Sequence, residues 1–596
     1  MAEKYSIKIG GSAGQGIKSA GLMLSKIATR SGLNIYTYTE YPSLIRGGHN
    51  VMQILISPEE VLAPSIKTDL LIALNKETID LHLNELHDQA IILCDGEVFQ
   101  GEKVISAPLS KLANEAGGGE LLINTVALGA TVGLLGGDLE ILKNLITESF
   151  SVKPEIVEVN KVAAKSGYDF IVQNHADKIT QTLKKAENIA PKMIINGNDG
   201  MALGAIAGGL QFASIYPMTP ITGLLHNLAL YQEQFGYIYK QPEDEISAIN
   251  MAIGASVAGA RALTATSGGG FCLMTEGLGL AGITETPVVV ILGMRAGPST
   301  GMPTWSENGD LQFALHAGHG DFPKIVLSAG DSREAFDLVK DALNLADKYQ
   351  TPVILLVDKN ICENDQSFHP LEISSQIDRG KLSLETIPDY QRYALSDDGI
   401  SKRSVPGKGN FFIVNSDEHD EIGFSSEEIE NRNSQMKKRM SKLQTCAKND
   451  MPHPQIFGPQ KADLTIVSNG STKGAILESL KKFPNVNFLY LTWLNPFPAD
   501  AVRNILAESK YILDIENNFL GQLADLIREK TGIEIMDKIL KYDGRPIFPE
   551  EIEDKIRSIV IASDPPAGGE RGNLNTEIAS SPSTIAQGSR NDGGQI

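Results

Sequence analysis

The sequence predicts an α/β protein built from three α/β domains and a disordered C-terminal tail, and three observations carry that prediction. Short apolar runs of strand length alternate with helical patterns over most of the chain, the order that builds open sheets covered by helices. Several of these runs are continuously hydrophobic, as expected of strands whose two faces are both covered. The pattern breaks in two places, at a polar stretch over 362–460 and again after residue 562. The 596 residues suit roughly three to five domains at about 100–200 residues each.

In the first unit, residues 1–190, strands are expected at 5–9, 34–39, 51–57, 70–74 and 90–94. A glycine-rich turn after the first strand leads into a helix to about residue 31. The second unit, 191–361, repeats the scheme with strands at 210–216, 263–266, 287–294, 324–328 and 352–358. Helices rich in small residues over 200–209 and 252–260 point to close packing against a sheet or another subunit. Residues 362–460 read as a long linker with a Lys/Glu-rich helix near 426–441, and a linker of that length in a compact body is rarely idle. The third unit, 461–562, opens with a strand at 463–468 and adds a strand at 511–515 and a helix at 521–530. Residues 563–596 are rich in Gly, Ser, Asn and Pro without apolar periodicity, and disorder is expected there.

The formal net charge of −20 repels phosphate backbones, so nucleic-acid binding is not expected; its plain consequence is solubility. The longest apolar run, near 288–292, is far short of the roughly 20 residues that span a bilayer, so no membrane span is expected. The first residues, Met-Ala-Glu-Lys, lack the apolar core of a secretory signal, which makes the cytoplasm the expected location. The four cysteines, Cys94, Cys272, Cys362 and Cys446, are scattered, whereas clusters and structural zinc draw two or three thiolates from one short loop. They read as free thiols in a reducing compartment.

Four segments carry candidate chemistry. The turn Gly10-Gly-Ser-Ala-Gly-Gln-Gly16 follows a strand and opens a helix, so its amides (Gly11, Gly14, Gln15 and Gly16 among them) suit an anion. Read from Gly11 it is a variant dinucleotide fingerprint, with Glu40 near the end of the next strand; a tight turn that needs glycine for conformation alone is the commoner case. Tyr216-Pro-Met-Thr-Pro-Ile-Thr222 ends an apolar strand and would place Thr219 and Thr222 at the carboxyl edge of the sheet, where open α/β sheets bind ligands. Thr222 could also merely cap the next helix. In Gln241-Pro-Glu-Asp-Glu245, Glu243 and Asp244 suit a helix dipole. Glu245 precedes an apolar, small-residue helix, which points it inward, where a carboxylate is rarely placed without a task. Arg295 heads the Gly/Pro/Thr loop 295–304 after the most apolar strand, a good position for holding a carboxylate bidentately, although a surface arginine is the commoner case.

Together these segments resemble the alpha subunits of 2-oxoacid:ferredoxin oxidoreductases. The resemblance lies in 216–222, Glu245 with Gly254-Ala-Ser-Val-Ala-Gly-Ala-Arg261, Thr266-Ser-Gly, and 295–304. The 10–16 turn with Tyr41-Pro-Ser-Leu-Ile-Arg-Gly-Gly48 is similar to that family's gamma domain, here fused in front. Asp397-Asp-Gly-Ile-Ser401, Asp417-Glu-His-Asp-Glu421 and Glu516-Asn-Asn-Phe-Leu-Gly-Gln522 resemble its linker and third-domain signatures. The similarity covers about 5–560.

The resemblance implies a gamma-type domain (1–190), a transketolase-like thiamine-diphosphate pyrimidine-binding domain (191–361) and a transketolase C-terminal-like domain (461–562). It further implies oxidative decarboxylation of a 2-oxoacid, with 2-oxoglutarate or broad specificity favoured, to acyl-CoA and carbon dioxide. Glu245 matches the glutamate that bonds the aminopyrimidine of thiamine diphosphate, with Tyr216 and Pro217 beside the cofactor. Thr219, Arg295 and Thr304 match residues around the substrate. Gly11, Gly14, Gln15 and Gly16 would help close over coenzyme A. Mg2+ and a [4Fe-4S] cluster are expected on a partner beta subunit, which shares the thiamine diphosphate and passes electrons to ferredoxin or a flavodoxin-like acceptor, in a heterotetramer. Three departures stand out: Trp305 replaces a common Lys or Arg, and Met218 and Ile221 replace the commoner Ile and Ser, so a hydroxyl is lost at 221. Two rival readings remain, an NAD(P)-dependent dehydrogenase using the 10–16 turn and a non-catalytic assembly subunit of the same fold.

Overall fold

The computed structural model describes residues 4–563 except 45–46, 97–98, 102, 152, 187–188 and 374–375. The expected tail, and Ile45 and Arg46 of the gamma-type signature, lie outside the described residues.

The first sheet has eight strands in the order Val104–Ala107, Leu86–Asp95, Thr68–Ala73, Tyr5–Ser12, His49–Ser57, Asn34–Glu40, Gln366–Phe368 and Met193–Ile195. Tyr5–Ser12 is parallel to Thr68–Ala73 but antiparallel to His49–Ser57, which is in turn antiparallel to Asn34–Glu40. This sheet is therefore mixed rather than uniformly wound. Only residues 41–48 join Asn34–Glu40 to His49–Ser57, too few for a crossover, which takes a dozen or more. Helices Ile123–Leu134 and Pro154–Asn174 cross in near backbone contact. A Cβ on Gly129 would lie 1.9 Å from the Ala164 carbonyl oxygen, and one on Gly167 2.0 Å from that of Val126.

The second sheet runs Trp493–Asn495, Ile325–Ser328, Pro352–Asp358, Val288–Met294, Ala262–Ser267, Phe212–Ser214 and Ile238–Lys240. Its pairs are parallel except at Trp493–Asn495, a strand supplied by the third unit. Val288–Met294 and Pro352–Asp358 are buried throughout, as their unbroken apolar sequences require. Phe212–Ser214 is shorter than the expected 210–216 because the chain turns out of the sheet toward Pro217, which has no N–H for a ladder. The first small-residue helix, Gly197–Ala207, lies against Ser332–Tyr349, where a Cβ on Gly204 would meet the Phe336 carbonyl oxygen at 2.2 Å. On the second, Glu245–Val257, Gly254 has nothing within 4 Å.

The segment after residue 368 is tied to the second unit by buried charges. Asp347 is paired with Arg261, Arg379 and Arg403, and Glu285, fully buried, with Lys438 and Lys442. Its helix is Ile429–Asn449 rather than the expected 426–441, and Lys438, Arg439 and Lys442 on it are buried. The third sheet is Gln455–Phe457, Val486–Tyr490, Leu464–Ser468, Tyr511–Glu516 and Asp537–Leu540.

Candidate active site

The site lies at the carboxyl ends of Phe212–Ser214, Ala262–Ser267 and Val288–Met294, the edge where open parallel sheets leave a crevice. Glu245 is the first residue of the helix Glu245–Val257. Asp244 caps that helix, its carboxylate accepting from the Ser247 N–H at 2.7 Å, as an N-cap aspartate should. The capping role being taken, Glu245 turns inward: it is 4% exposed, and its Oε1 has no hydrogen-bond partner. A buried carboxylate oxygen without a donor is costly, so this group is built for a partner. The wall it rests on is Gly270, in the first turn of the helix Gly268–Ile283. A Cβ there would lie 2.4 Å from Glu245 Oε1 and 2.1 Å from Thr266 Oγ1.

The loop after Val288–Met294 leaves the same edge of the sheet. Arg295, half-buried, donates from Nη1 to the Thr219 carbonyl at 2.9 Å, which brings two of the expected substrate residues together through the Thr219 backbone. The loop closes on itself through Ala296 N–H to Trp305 O at 3.2 Å and Met302 N–H to Ala296 O at 2.9 Å. Thr304 is buried and its hydroxyl is unpartnered, a second polar atom poised without a donor or acceptor. Just beyond, burial pushes the Glu307 carboxyl up to about 7, with Asp310 adding to it. Burial also raises Asp310 to about 6, against the pull of Arg295. Sequence reasoning passed over Gly270, Glu307 and Asp310. Asp310 is brought against Gly268 only by a long-range fold, and no local signal marks it.

The Tyr216–Thr222 segment is fixed from behind: the Asn198 amide donates to the Pro220 carbonyl at 3.0 Å and the Cys362 carbonyl at 2.9 Å. Tyr216, Pro217 and Thr219 are half-buried beside it. Ile221 is fully buried against Gly293, so the apolar side chain at 221 serves the core and no pocket hydroxyl is missed there. Thr222 is the first residue of the helix Thr222–Phe235 rather than its cap, and that helix has no side-chain cap bond.

In the 10–16 turn, Gln15 folds back, its side-chain oxygen accepting from the Ser12 N–H at 2.7 Å and lying 2.4 Å from where a Gly11 Cβ would be. Gly14 and Gly16 hold φ of 93° and 72°, conformations that glycine adopts at little cost. The helix it opens, Ile17–Arg30, borders through Ile17 and Lys18 a cavity of about 500 Å³ whose other walls include Asn198, Pro220, Thr222 and His226. This cavity therefore joins the glycine turn's helix to the Tyr216–Thr222 segment. Cys94, Cys362 and Cys446 are buried and Cys272 is exposed. Among the described residues no helix is long and apolar enough to cross a membrane.

Comparison with known proteins decides the family. Residues 203–438 match the family model described as pyruvate flavodoxin/ferredoxin oxidoreductase, thiamine diP-bdg, and residues 6–170 that of pyruvate ferredoxin/flavodoxin oxidoreductase. The 2-oxoacid:ferredoxin oxidoreductase subunit alpha of Saccharolobus solfataricus is 34% identical over 94% of this chain and 98% of its own length. The chain belongs to the 2-oxoacid:ferredoxin oxidoreductase alpha subunits. A 2-oxoglutarate oxidoreductase subunit of Mycobacterium tuberculosis is 28% identical over 93% of the chain. A solved 2-oxoglutarate:ferredoxin oxidoreductase from Magnetococcus marinus, with 2-oxoglutarate, coenzyme A and succinyl-CoA bound, is 32% identical. It superposes with a TM-score of 0.87 over 93% of this chain and 99% of its own. The matched segment 203–438 takes in Glu245, Thr219, Arg295 and Thr304.

Proposed function

We propose that this alpha subunit, with a gamma-type domain fused at its front and a beta subunit as partner, carries out coenzyme A-dependent oxidative decarboxylation of a 2-oxoacid. The products are an acyl-CoA and carbon dioxide, and two electrons leave singly for ferredoxin or a flavodoxin-like acceptor. The observation that carries the reading is the buried, unpartnered oxygen of Glu245 at the carboxyl edge of a parallel sheet, the edge from which Arg295 also emerges.

The residues fit thiamine diphosphate. When bound, the cofactor supplies a nucleophilic thiazolium carbon and an electron sink for the carboxyl carbon's bonding pair. Glu245 holds a proton or hydrogen bond at a ring nitrogen, and its seat against Gly270 fixes the direction of that bond. Arg295, anchored through one N–H to Thr219, keeps further donors of its planar fork for the substrate carboxylate. Thr304 Oγ1 offers a hydroxyl from a buried wall, where a hydrogen bond counts for more than in water. Ile246, Met251 and Leu273 are exposed on the helices flanking Glu245, an apolar face suited to the beta subunit, which on this reading brings Mg2+, the [4Fe-4S] cluster and the diphosphate end of the cofactor. The cavity between Lys18 and Thr222 is the proposed entry for coenzyme A, with a helix N-terminus and a lysine for its phosphates. 2-Oxoglutarate is the favoured substrate, supported by the Magnetococcus marinus relative. Nothing observed in the 10–16 turn favours the nicotinamide alternative, since Gln15 stands over Gly11.

The test is co-purification of the chain with the product of an adjacent reading frame as a heterotetramer, followed by reduction of a viologen dye across a panel of 2-oxoacids. The reading requires reduction that depends on a 2-oxoacid and rises with coenzyme A. Turnover driven by a hydroxy acid and NAD, with no response to any 2-oxoacid, would overturn it.

A further inference from the structure

The guanidinium of Arg545, from the third unit, lies over the ring of Trp305 at 3.8 Å from its centroid. The contact is set by backbone. Ser306 N–H donates to the Gly544 carbonyl at 3.0 Å, and Gly544, at φ 83°, comes so close that a Cβ would stand 2.8 Å from Trp305 Cβ. Asn517 holds the same segment by donating to the Lys541 and Arg545 carbonyls at 2.7 and 3.2 Å. Because the Trp305 carbonyl accepts from Ala296 N–H, Arg545 is seated on the residue paired with the one that follows Arg295. Two guanidinium groups therefore flank one short loop.

Arg545 differs from the chain's structural cations in its partners. Arg261 and Arg403 are paired with Asp347, and Lys438 and Lys442 with Glu285. Arg545 is half-buried, gives Nη1 to the Asp543 carbonyl at 2.8 Å, and forms no ion pair with a carboxylate among the described residues. An arginine stacked on an aromatic face keeps its N–H edge free in the plane, in the fork that matches a carboxylate or phosphate. Phe548, three residues past Arg545, packs edge-on against Tyr38 at 6.3 Å between ring centroids, on the strand Asn34–Glu40 whose Thr39 borders the cavity described above. It thus stands at the junction of the substrate loop and the first unit.

We propose that Arg545 is an anion-recognition residue for a reactant, contacting either the distal carboxylate of a dicarboxylic 2-oxoacid or a phosphate of coenzyme A. The proposal rests on the reading above, in which Arg295 takes the carboxylate next to the reacting carbonyl and leaves Arg545 for a second negative group.

The experiment compares Arg545→Gln and Arg545→Lys complexes with wild type. It measures kcat/KM for 2-oxoglutarate and pyruvate, and for coenzyme A and its phosphate-free analogue pantetheine. The expected result is a selective loss of about 10–100-fold in the Gln variant, the worth of one charge-assisted bond, partly restored by Lys. Loss for 2-oxoglutarate but not pyruvate assigns the carboxylate; loss for coenzyme A but not pantetheine assigns the phosphate. A fall shared equally by all four, or no fall at all, overturns the proposal. If the wild-type complex turned over no 2-oxoacid, the functional reading would fail by itself. Calorimetric titration of glutarate and coenzyme A onto the same complexes would still decide Arg545: weaker binding of either to the Gln variant supports the proposal, and unchanged binding of both overturns it.

Discussion

Gly270→Ala perturbs the Glu245 carboxylate without removing it. The added methyl would sit 2.4 Å from Glu245 Oε1 and 2.7 Å from its Cγ, where ordinary contact begins at 3.4 Å, so the carboxylate must retreat by about 1 Å. The Thr266 hydroxyl, at 2.1 Å, must also give way, and Glu245 lies on the buried face of its helix with Ala248 and Ile249. A displacement of about 1 Å at a catalytic group costs on the order of 10²-fold in rate. The fold should tolerate the change, because Ala replaces Gly within a helix and offsets the strain by about 0.5–1 kcal/mol. The assay is deuterium exchange at C2 of thiamine diphosphate in the reconstituted complex, followed by NMR after acid quench, alongside the melting temperature. Exchange slowed about 100-fold with a melting temperature within a few degrees of wild type is expected. Wild-type exchange in a well-folded Gly270→Ala complex would refute the placement of the carboxylate against that wall.

Two further outcomes follow from the geometry. Arg295→Ala should lower kcat/KM for every 2-oxoacid by about 1.5–3 kcal/mol, the value of a hydrogen bond to a charged group; steady-state kinetics showing an unchanged specificity constant would remove Arg295 from the substrate. Glu285→Gln leaves Lys438 and Lys442 buried without their carboxylate and should destabilise the chain by about 3–5 kcal/mol in urea unfolding, against a result under 1 kcal/mol that would make the cluster dispensable. The lysines and Arg392 hold the Glu285 carboxyl far below its usual range, burial opposing them. Its contribution is therefore full above the unfolded value of about 4.3 and lost as pH falls below it, so the variant and wild type should converge in stability under acid.

The sequence was most informative where one physical demand dominates. Val288–Met294 and Pro352–Asp358 are unbroken apolar runs because both faces are covered, and their ends mark the site. Asp244 and Glu245 could be told apart because a cap needs one carboxylate and the second, ahead of a small-residue helix, has nowhere polar to go. Legibility failed where long-range pairing reverses a local meaning. Lys438 and Lys442 look like solvent-facing charges on a Lys-rich helix, yet Glu285 draws both into the interior. Trp493–Asn495 completes a sheet whose other strands lie far earlier, and nothing in three residues announces such a partner. Nothing in the Gly268–Gly270 run singles out Gly270, which is required by the carboxylate packed on it. Arg545 carries no motif of its own; only the fold sets it on Trp305.

The account depends on Glu245 acting at the cofactor ring, and the C2 exchange rate of thiamine diphosphate in a Glu245→Gln complex measures that action before any substrate is bound. A slowing of about 10²–10⁴-fold, the range for lost acid–base assistance, is predicted with cofactor still bound. Exchange at the wild-type rate in a saturated complex would contradict it.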